Sequence, residues 1–332
     1  MAYPKPLSEN KLAKLYEDAD ITEEVKDYLH RFFLACANYY GLITLRDAWN
    51  VFQTLKGEKP KLHRSDLEKI STIIRREEQP YYMFEVDELF DAECREIIER
   101  HIVHKVFITK GQYKNTFVYM FLKEVRDCPY CVPNDLLSYA DNKLVPQEQR
   151  LLDFLSDLVS EADLCVPGFG MPYPNENKGK KLGEFSFLTS FERERQEKAK
   201  PGSFEDRLIQ EALSQSEAEK LFYALRKTIN RAFGSPLEDL VFRAEEMKEA
   251  GVVFTEASAQ TLMNLFEDYN NHVPHWYLKG WSPASVPGGR NVTRPMTVTL
   301  GHGRKRWLKD HPEEQKHFAE LIQTMGISSV NQ

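Results

Sequence analysis

Apolar residues recur at helical spacing over 23–39, where Val25, Leu29, Phe32, Phe33, Cys36 and Tyr40 share one face. Gly41 predicts the stop, as a glycine just past a helix does. Thr44, with Asp47 three residues on, reads as the N-cap of a short second helix whose stripe is Leu45, Ala48, Trp49 and Phe52. A polar link over 56–64 leads to Ser65-Asp-Leu-Glu68. There the serine and glutamate can satisfy each other's backbone donors and open a third helix carrying Leu67, Ile70, Ile73 and Ile74. Residues 81–86 are rich in aromatics and alternate: Tyr82, Phe84 and Val86 on one face, Met83 and Glu85 on the other. A second strand is predicted over 101–108, with a helical insertion over 92–100 between the two. Three short helices followed by a small hairpin make a winged-helix outline. Residues 114–125 fit a helix through Phe117, Met120, Phe121 and Val125, and their β-branched and aromatic content fits a strand as well.

Beyond Pro133 the pattern changes. Helices are predicted over 134–140 and 147–159. Residues 165–200 hold many Pro, Gly, Lys and Glu and little periodicity, and read as a long loop. Helices resume over 205–213, 216–233, 237–249 and 256–269, with a last one over 313–325. The expected fold is therefore mainly α: a winged-helix-like N-terminal domain with a small β-hairpin over 1–140, then an all-α C-terminal domain over 141–332.

Composition narrows the classes. The 332 residues are 42% hydrophobic, enough for a packed core and against disorder, and no apolar run reaches the roughly 18 residues of a membrane span. A net charge of −7 argues against a strongly basic nucleic-acid or membrane binder. The N-terminal stretch lacks the apolar core of a signal peptide. Five cysteines (Cys36, Cys94, Cys128, Cys131, Cys165) are sparse and odd in number, which fits a reducing cytoplasm better than a disulfide scaffold. The expectation is a cytoplasmic protein with no membrane partner.

Several segments carry a resemblance. Asn38-Tyr-Tyr-Gly-Leu-Ile-Thr-Leu45, the aromatic stretch over 81–86, Ile102-Val-His104 and Val132-Pro-Asn-Asp-Leu-Leu-Ser-Tyr-Ala-Asp141 occur in that order, and Tyr269-Asn-Asn-His-Val-Pro-His-Trp-Tyr-Leu-Lys-Gly-Trp-Ser-Pro283 follows later. Together they resemble a group of uncharacterised bacterial proteins, mainly from Firmicutes, that often carry a C-terminal SEC-C zinc motif. The resemblance covers 38–141 and 256–287. It implies a helix-rich protein with a winged-helix-like N-terminal part, and it implies no activity. No cysteine follows Cys165, so the SEC-C motif and its zinc are absent from this sequence.

Four patterns invite chemistry. Cys128-Pro-Tyr-Cys131 matches the glutaredoxin redox motif letter for letter, but that chemistry wants the first cysteine at a helix N-terminus after a strand. Val132-Pro133 follows at once and Asn134 looks like the cap, so a structural pair is favoured over redox catalysis or half of a metal site. His101 and His104 match no zinc spacing, and no metal or cofactor is expected. The third helix and wing invite nucleic-acid binding through Arg64, Lys69, Arg75 and Arg76. Residues 1–140 nevertheless carry 20 basic and 23 acidic side chains, with Glu85, Asp87, Glu88 and Asp91 gathered in the wing. A basic run, Arg304, Lys305 and Arg306 beside Trp307, offers charge with a stacking ring, or simply a solvated turn. Asn271, His272, His275 and Trp276 could form a ligand-recognition turn; the favoured reading has asparagines capping a helix and Trp276, Tyr277 and Trp281 anchoring a loop. No nucleophile, base and oxyanion site can be placed together. The leading expectation is a non-enzymatic binding or regulatory protein that contacts protein, with nucleic-acid binding second and a thiol oxidoreductase third.

Overall fold

The computed structural model describes residues 3–90, 94, 96–108, 116–141, 144–160, 165–166, 180–181, 218–219, 222–223, 225–226, 236–249, 252–288, 298–299, 308–324 and 330–331. The described chain is mainly helical, with one three-stranded antiparallel sheet and two two-residue strand pairs, Cys165–Val166 with Lys180–Lys181 and Val298–Thr299 with Val330–Asn331. The part expected to be all-α thus carries some strand; the rest of the loop expected over 165–200 lies outside the described residues. It divides into two compact units. The first comprises Met1–Lys143, Asn230–Ala232 and Pro274–Gly288; the second comprises Leu144–Ile229, Phe233–Val273 and Gly289–Gln332. Residues 274–288, read from sequence as part of the second domain, thus cluster with the first unit.

In the first unit the helix expected over 23–39 is α2, and a helix absent from the sequence reading, α1 (Glu9–Asp18), precedes it. α2 (Glu23–Tyr40) starts at Thr22, whose hydroxyl accepts the Val25 N–H at 3.4 Å, and ends at Gly41. Its face of Leu29, Phe32, Phe33, Cys36 and Tyr40 is fully buried. β1 (Leu42–Thr44) leads into α3 (Leu45–Thr54), capped by Thr44, whose Oγ1 accepts the Asp47 N–H at 3.0 Å. The Lys59 ammonium closes the far end of α3 by donating to the carbonyls of Phe52, Gln53 and Leu55 at 2.7–3.1 Å, a cation on the negative end of the helix dipole. α4 (Arg64–Ile74) begins before the expected box. The acid that reaches back is Asp66, accepting the His63 N–H at 2.9 Å, while Glu68 pairs with Arg64 at 2.7 Å.

β2 (Tyr81–Phe84) and β3 (His101–His104) complete a sheet of order β1-β3-β2. Ile102 lies between Ile43 and Met83 in register, and all three are fully buried. The alternation expected along β2 is present, and both of its faces are covered. Tyr81 and Met83 enter the main core, and Tyr82 and Phe84 are covered from the other side by the Tyr3 ring at 5.1 and 5.0 Å. β2 is an edge strand, and side chains block its edge: Tyr3 Oη accepts the Met83 N–H at 3.2 Å and Arg75 donates to the Met83 carbonyl at 3.0 Å. Between β2 and β3 lie a single turn, α5 (Val86–Leu89), and a 3₁₀ turn, Ile97–Glu99; of the helix expected over 92–100, Cys94 and Glu96 are not helical, and residues 92, 93 and 95 lie outside the described residues. β3 stops at His104, where a 3₁₀ turn, Lys105–Phe107, replaces the rest of the expected strand. The ambiguity over 114–125 resolves as a helix, α6 (Thr116–Glu124), and 134–140 forms a 3₁₀ segment, Leu136–Asp141.

The second unit contains α7 (Pro146–Ser160), α8 (Pro236–Glu249), α9 (Glu256–His272) and α10 (Pro312–Thr324), close to the predicted spans. Positions 218–219, 222–223 and 225–226 are helical too, within the span expected over 216–233. The helix expected over 205–213 lies outside the described residues. Leu151, Leu155, Phe222, Leu240, Val241, Leu262, Phe266 and Tyr269 form the core, and Arg226 meets Glu148 at 2.9 Å beside it. No described helix is long and apolar enough to cross a membrane.

Candidate functional site

α4 is the element on which a groove-reading surface would rest. Its cations have different fates. Arg64 is exposed and paired with Glu68. Lys69 is exposed, with its ammonium 3.3 Å from the Ala19 carbonyl. Arg76 is exposed and followed by Glu77 and Glu78. Arg75 is interior: its guanidinium makes a two-pronged pair with Glu88, both contacts at 2.8 Å, and lies 5.5 Å from the Tyr3 ring centre. The hydrogen bonds and attraction of Glu88 hold it charged despite burial. Arg100 is buried beside it and donates to Glu85, Ser71 and Thr72 at 2.7–2.9 Å. Two of the four acids over 85–91, Glu85 and Glu88, are therefore engaged by these arginines. Glu85 and Glu88 clamp the end of α4 to the start of β3, a network the sequence reading did not find. Its signal was present as two arginines and two glutamates of matching number, without the register that pairs them.

The Cys128–Cys131 loop is held by the returning segment. Cys131 N–H donates to the Lys279 carbonyl at 3.0 Å, Cys128 Sγ lies 3.7 Å from the Leu278 carbonyl, and the Trp281 indole donates to the Pro129 carbonyl at 2.9 Å. Tyr39 Oη donates to the Gly280 carbonyl at 2.8 Å and lies 3.6 Å from Cys131 Sγ. Both thiols are free and half-buried, and no helix begins at Cys128. Burial pushes the Cys131 thiol up, with the Tyr39 hydroxyl pulling weakly the other way. The helix N-terminus that would stabilise a thiolate at the first cysteine of such a motif is therefore missing here.

The suspected ligand turn is divided. Asn271 and His272 lie within α9 of the second unit, so the asparagines do not cap it; the Val273 N–H closes the helix onto the Tyr269 carbonyl. His272 is exposed, with Nδ1 2.9 Å from Asp268. His275 and Trp276 belong to the first unit and are buried. Trp276 packs on His104 at 4.9 Å and Phe107 at 5.2 Å, and its indole donates to the Asn38 carbonyl at 2.8 Å. Gly41, at φ +71°, leaves room for that ring: an added Cβ would sit 2.3 Å from it. The anchoring role expected of Trp276 and Trp281 is thus visible in their contacts.

His101 and His104 bracket β3. Burial drives His101 down to about 4, against the pull of Glu99 and Asp47, and His104 Nδ1 accepts the Val106 N–H at 3.2 Å. Among the described residues no group of three or more His, Cys, Asp or Glu side chains is placed to hold a metal ion. Arg304, Lys305 and Arg306 lie outside the described residues. No protein-family model, curated protein or solved structure matches the chain.

Proposed function

We propose that the first unit is a winged-helix-like module that works through protein contacts, in a non-enzymatic, cytoplasmic binding or regulatory protein. The order α2, β1, α3, α4, β2, β3, with β3 central in the sheet, supports the winged-helix reading. The observation that carries the choice of partner is the state of α4. A helix that reads a major groove needs arginine or lysine forks facing bases and uncompensated charge facing phosphates. Here Arg75 is sequestered by Glu88 and Arg64 is paired with Glu68, and the exposed Arg76 is followed by two acids, Glu77 and Glu78. Tyr119, Met120 and Leu122 add exposed apolar surface on α6 of the same unit, which suits a protein partner. Fluorescence anisotropy with a short random duplex at low salt tests the choice: the expected result is no saturable binding. Binding that weakens steeply with salt and is lost in Arg64→Ala and Arg76→Ala would replace this reading with a nucleic-acid one. A photo-crosslinker in place of Lys69 is expected to capture protein and not nucleic acid.

A further inference from the structure

α1 is held to the first unit by a small polar cluster that the proposed function does not use. Tyr16, near the end of α1, is the one residue of that helix that is buried. Its hydroxyl donates to Glu77 Oε1 at 2.6 Å and lies 3.0 Å from His30 Nε2 on α2. The same imidazole nitrogen lies 3.3 Å from Glu77 Oε2. On the other side of the ring, the Gln79 amide nitrogen is 3.0 Å from His30 Nδ1 and 2.7 Å from Glu77 Oε2. Lys26 lies over the Tyr16 ring at 5.0 Å.

The hydrogen bonds fix a protonation state. The Tyr16 proton goes to Glu77, so the tyrosine oxygen is left to accept from His30 Nε2–H. The Gln79 nitrogen only donates, so His30 Nδ1 must be an acceptor. This arrangement requires neutral imidazole. A second proton, on Nδ1, would face an N–H₂ group at 3.0 Å. Turning the amide over cures that conflict and makes another, because the same nitrogen also serves Glu77: the flipped oxygen would then face a carboxylate. No orientation of Gln79 satisfies both neighbours of a protonated His30.

We propose that Tyr16, His30, Glu77 and Gln79 form a proton-operated latch, which fastens α1 to α2 and the end of α4 while His30 is neutral and loosens it when His30 is protonated. The groups facing the imidazole are Tyr16 from α1, Glu77 and Gln79 from the turn after α4, and Lys26 and Asp27 from α2 itself. Tyr81 of β2, buried with no partner for its hydroxyl, and Glu23 of α2 complete the charged and titratable surroundings. Burial disfavours the charged imidazole and Lys26 opposes it, while Glu77 and Asp27 favour it; burial is the largest influence, and His30 titrates below its ordinary value. The sign follows. The docked state binds the proton more weakly than the undocked state, so docking is strongest above about pH 6.5 and is lost as the pH falls from there. His30 keeps 21% of its side chain exposed, which leaves the proton a path from solvent.

The full chain tests this by hydrogen exchange of α1 amides, corrected for intrinsic rates, and by NMR titration of the His30 ring. The expected result is a loss of α1 protection on acidification that sets in near pH 6.5, falls at most about tenfold per pH unit as one proton dictates, and levels off where the ring of docked His30 titrates. His30→Gln is expected to remove the pH dependence. Tyr16→Phe is expected to lower α1 protection at every pH, because the tether is cut whatever the charge. The proposal fails if α1 protection in the unmodified protein is pH-independent. It also fails if protection goes on falling below the pH at which docked His30 titrates, or stays constant down to it, a comparison that needs no variant to fold.

Discussion

Gly41 and Gly280 stand where the returning segment crosses the end of α2. Both are left-handed, at φ +71° and +84°, and a Cβ on either would lie 2.3 Å from an aromatic ring, Trp276 for the first and Tyr39 for the second. Gly41→Ala should combine left-handed strain with overpacking and cost about 2–4 kcal/mol. Gly57 is also left-handed, at φ +99°, with nothing within 4 Å of its Cβ position. Gly57→Ala should therefore cost only the backbone share, about 1–2 kcal/mol. Urea unfolding followed by tryptophan fluorescence, which Trp49, Trp276 and Trp281 supply in this unit, checks the order of the two. The thiols give a second residue-scale prediction. Since burial raises Cys131, its alkylation at neutral pH should be slower than that of a free thiol and should rise through alkaline pH with no plateau at low pH. His101 gives a third. Its neutral form is buried and its folded value is near 4, below the ordinary 6.5, so it contributes stability above 6.5 that is lost as the pH falls toward 4. His101→Gln should make the acid-side slope of stability shallower by about one proton over that window, as pH-dependent urea midpoints would show.

At the scale of elements, the join between α4 and the strands is ionic. Glu88 accepts both prongs of Arg75 and the Glu85 N–H, and Arg100 ties Glu85 to Ser71 and Thr72. Removing one partner leaves an uncompensated buried charge, so Glu88→Gln should cost about 3 kcal/mol, while the apolar pair Arg75→Met with Glu88→Leu should cost less than that single change. Thermal unfolding of the two variants decides it. These elements also mark how far the sequence could be read. α2 and α3 were legible because dense apolar stripes adjoin unambiguous end signals, Gly41 closing the one and Thr44 opening the other. α1 was not, because its stripe buries a single residue, Tyr16, with Leu12 only partly buried beside it, and the hydrogen bonds of the Tyr16 hydroxyl supply the rest of its hold. The start of α4 was misjudged because two acids compete for one role: Asp66 reaches His63, and Glu68, equally well spaced from Ser65, turns to Arg64. Which face of β2 meets the main core was not legible, because both faces are apolar. Period-2 patterning cannot choose between them when a distant tyrosine, Tyr3, covers the second.

For the whole molecule, the decisive fact is that residues 274–288 belong to the first unit although some 130 positions separate them from its main stretch. Periodicity is local, so it could show that Trp276, Tyr277 and Trp281 wanted burial and could not show which core would take them. The returning segment supplies the indole over Gly41, the carbonyls that receive Cys131 N–H and Tyr39 Oη, and the Trp281 donor to Pro129. Each of these partners is a group of the first unit that would otherwise need water or lie beneath a gap. A fragment of residues 1–143 should therefore fold poorly, since loss of a packed tryptophan alone costs about 3–5 kcal/mol, a large share of the stability of a small unit. Rejoining residues 274–288 to that fragment through a flexible Gly/Ser linker should restore a cooperative transition. Carrying Trp276→Ala in the rejoined segment should abolish most of the gain. Calorimetry of the three fragments measures this directly. A fragment of 1–143 that melts as cooperatively and as high as the rejoined chain would mean that the segment only decorates a unit already complete. The aromatic anchors would then owe their burial to that surface and not to a role in building it.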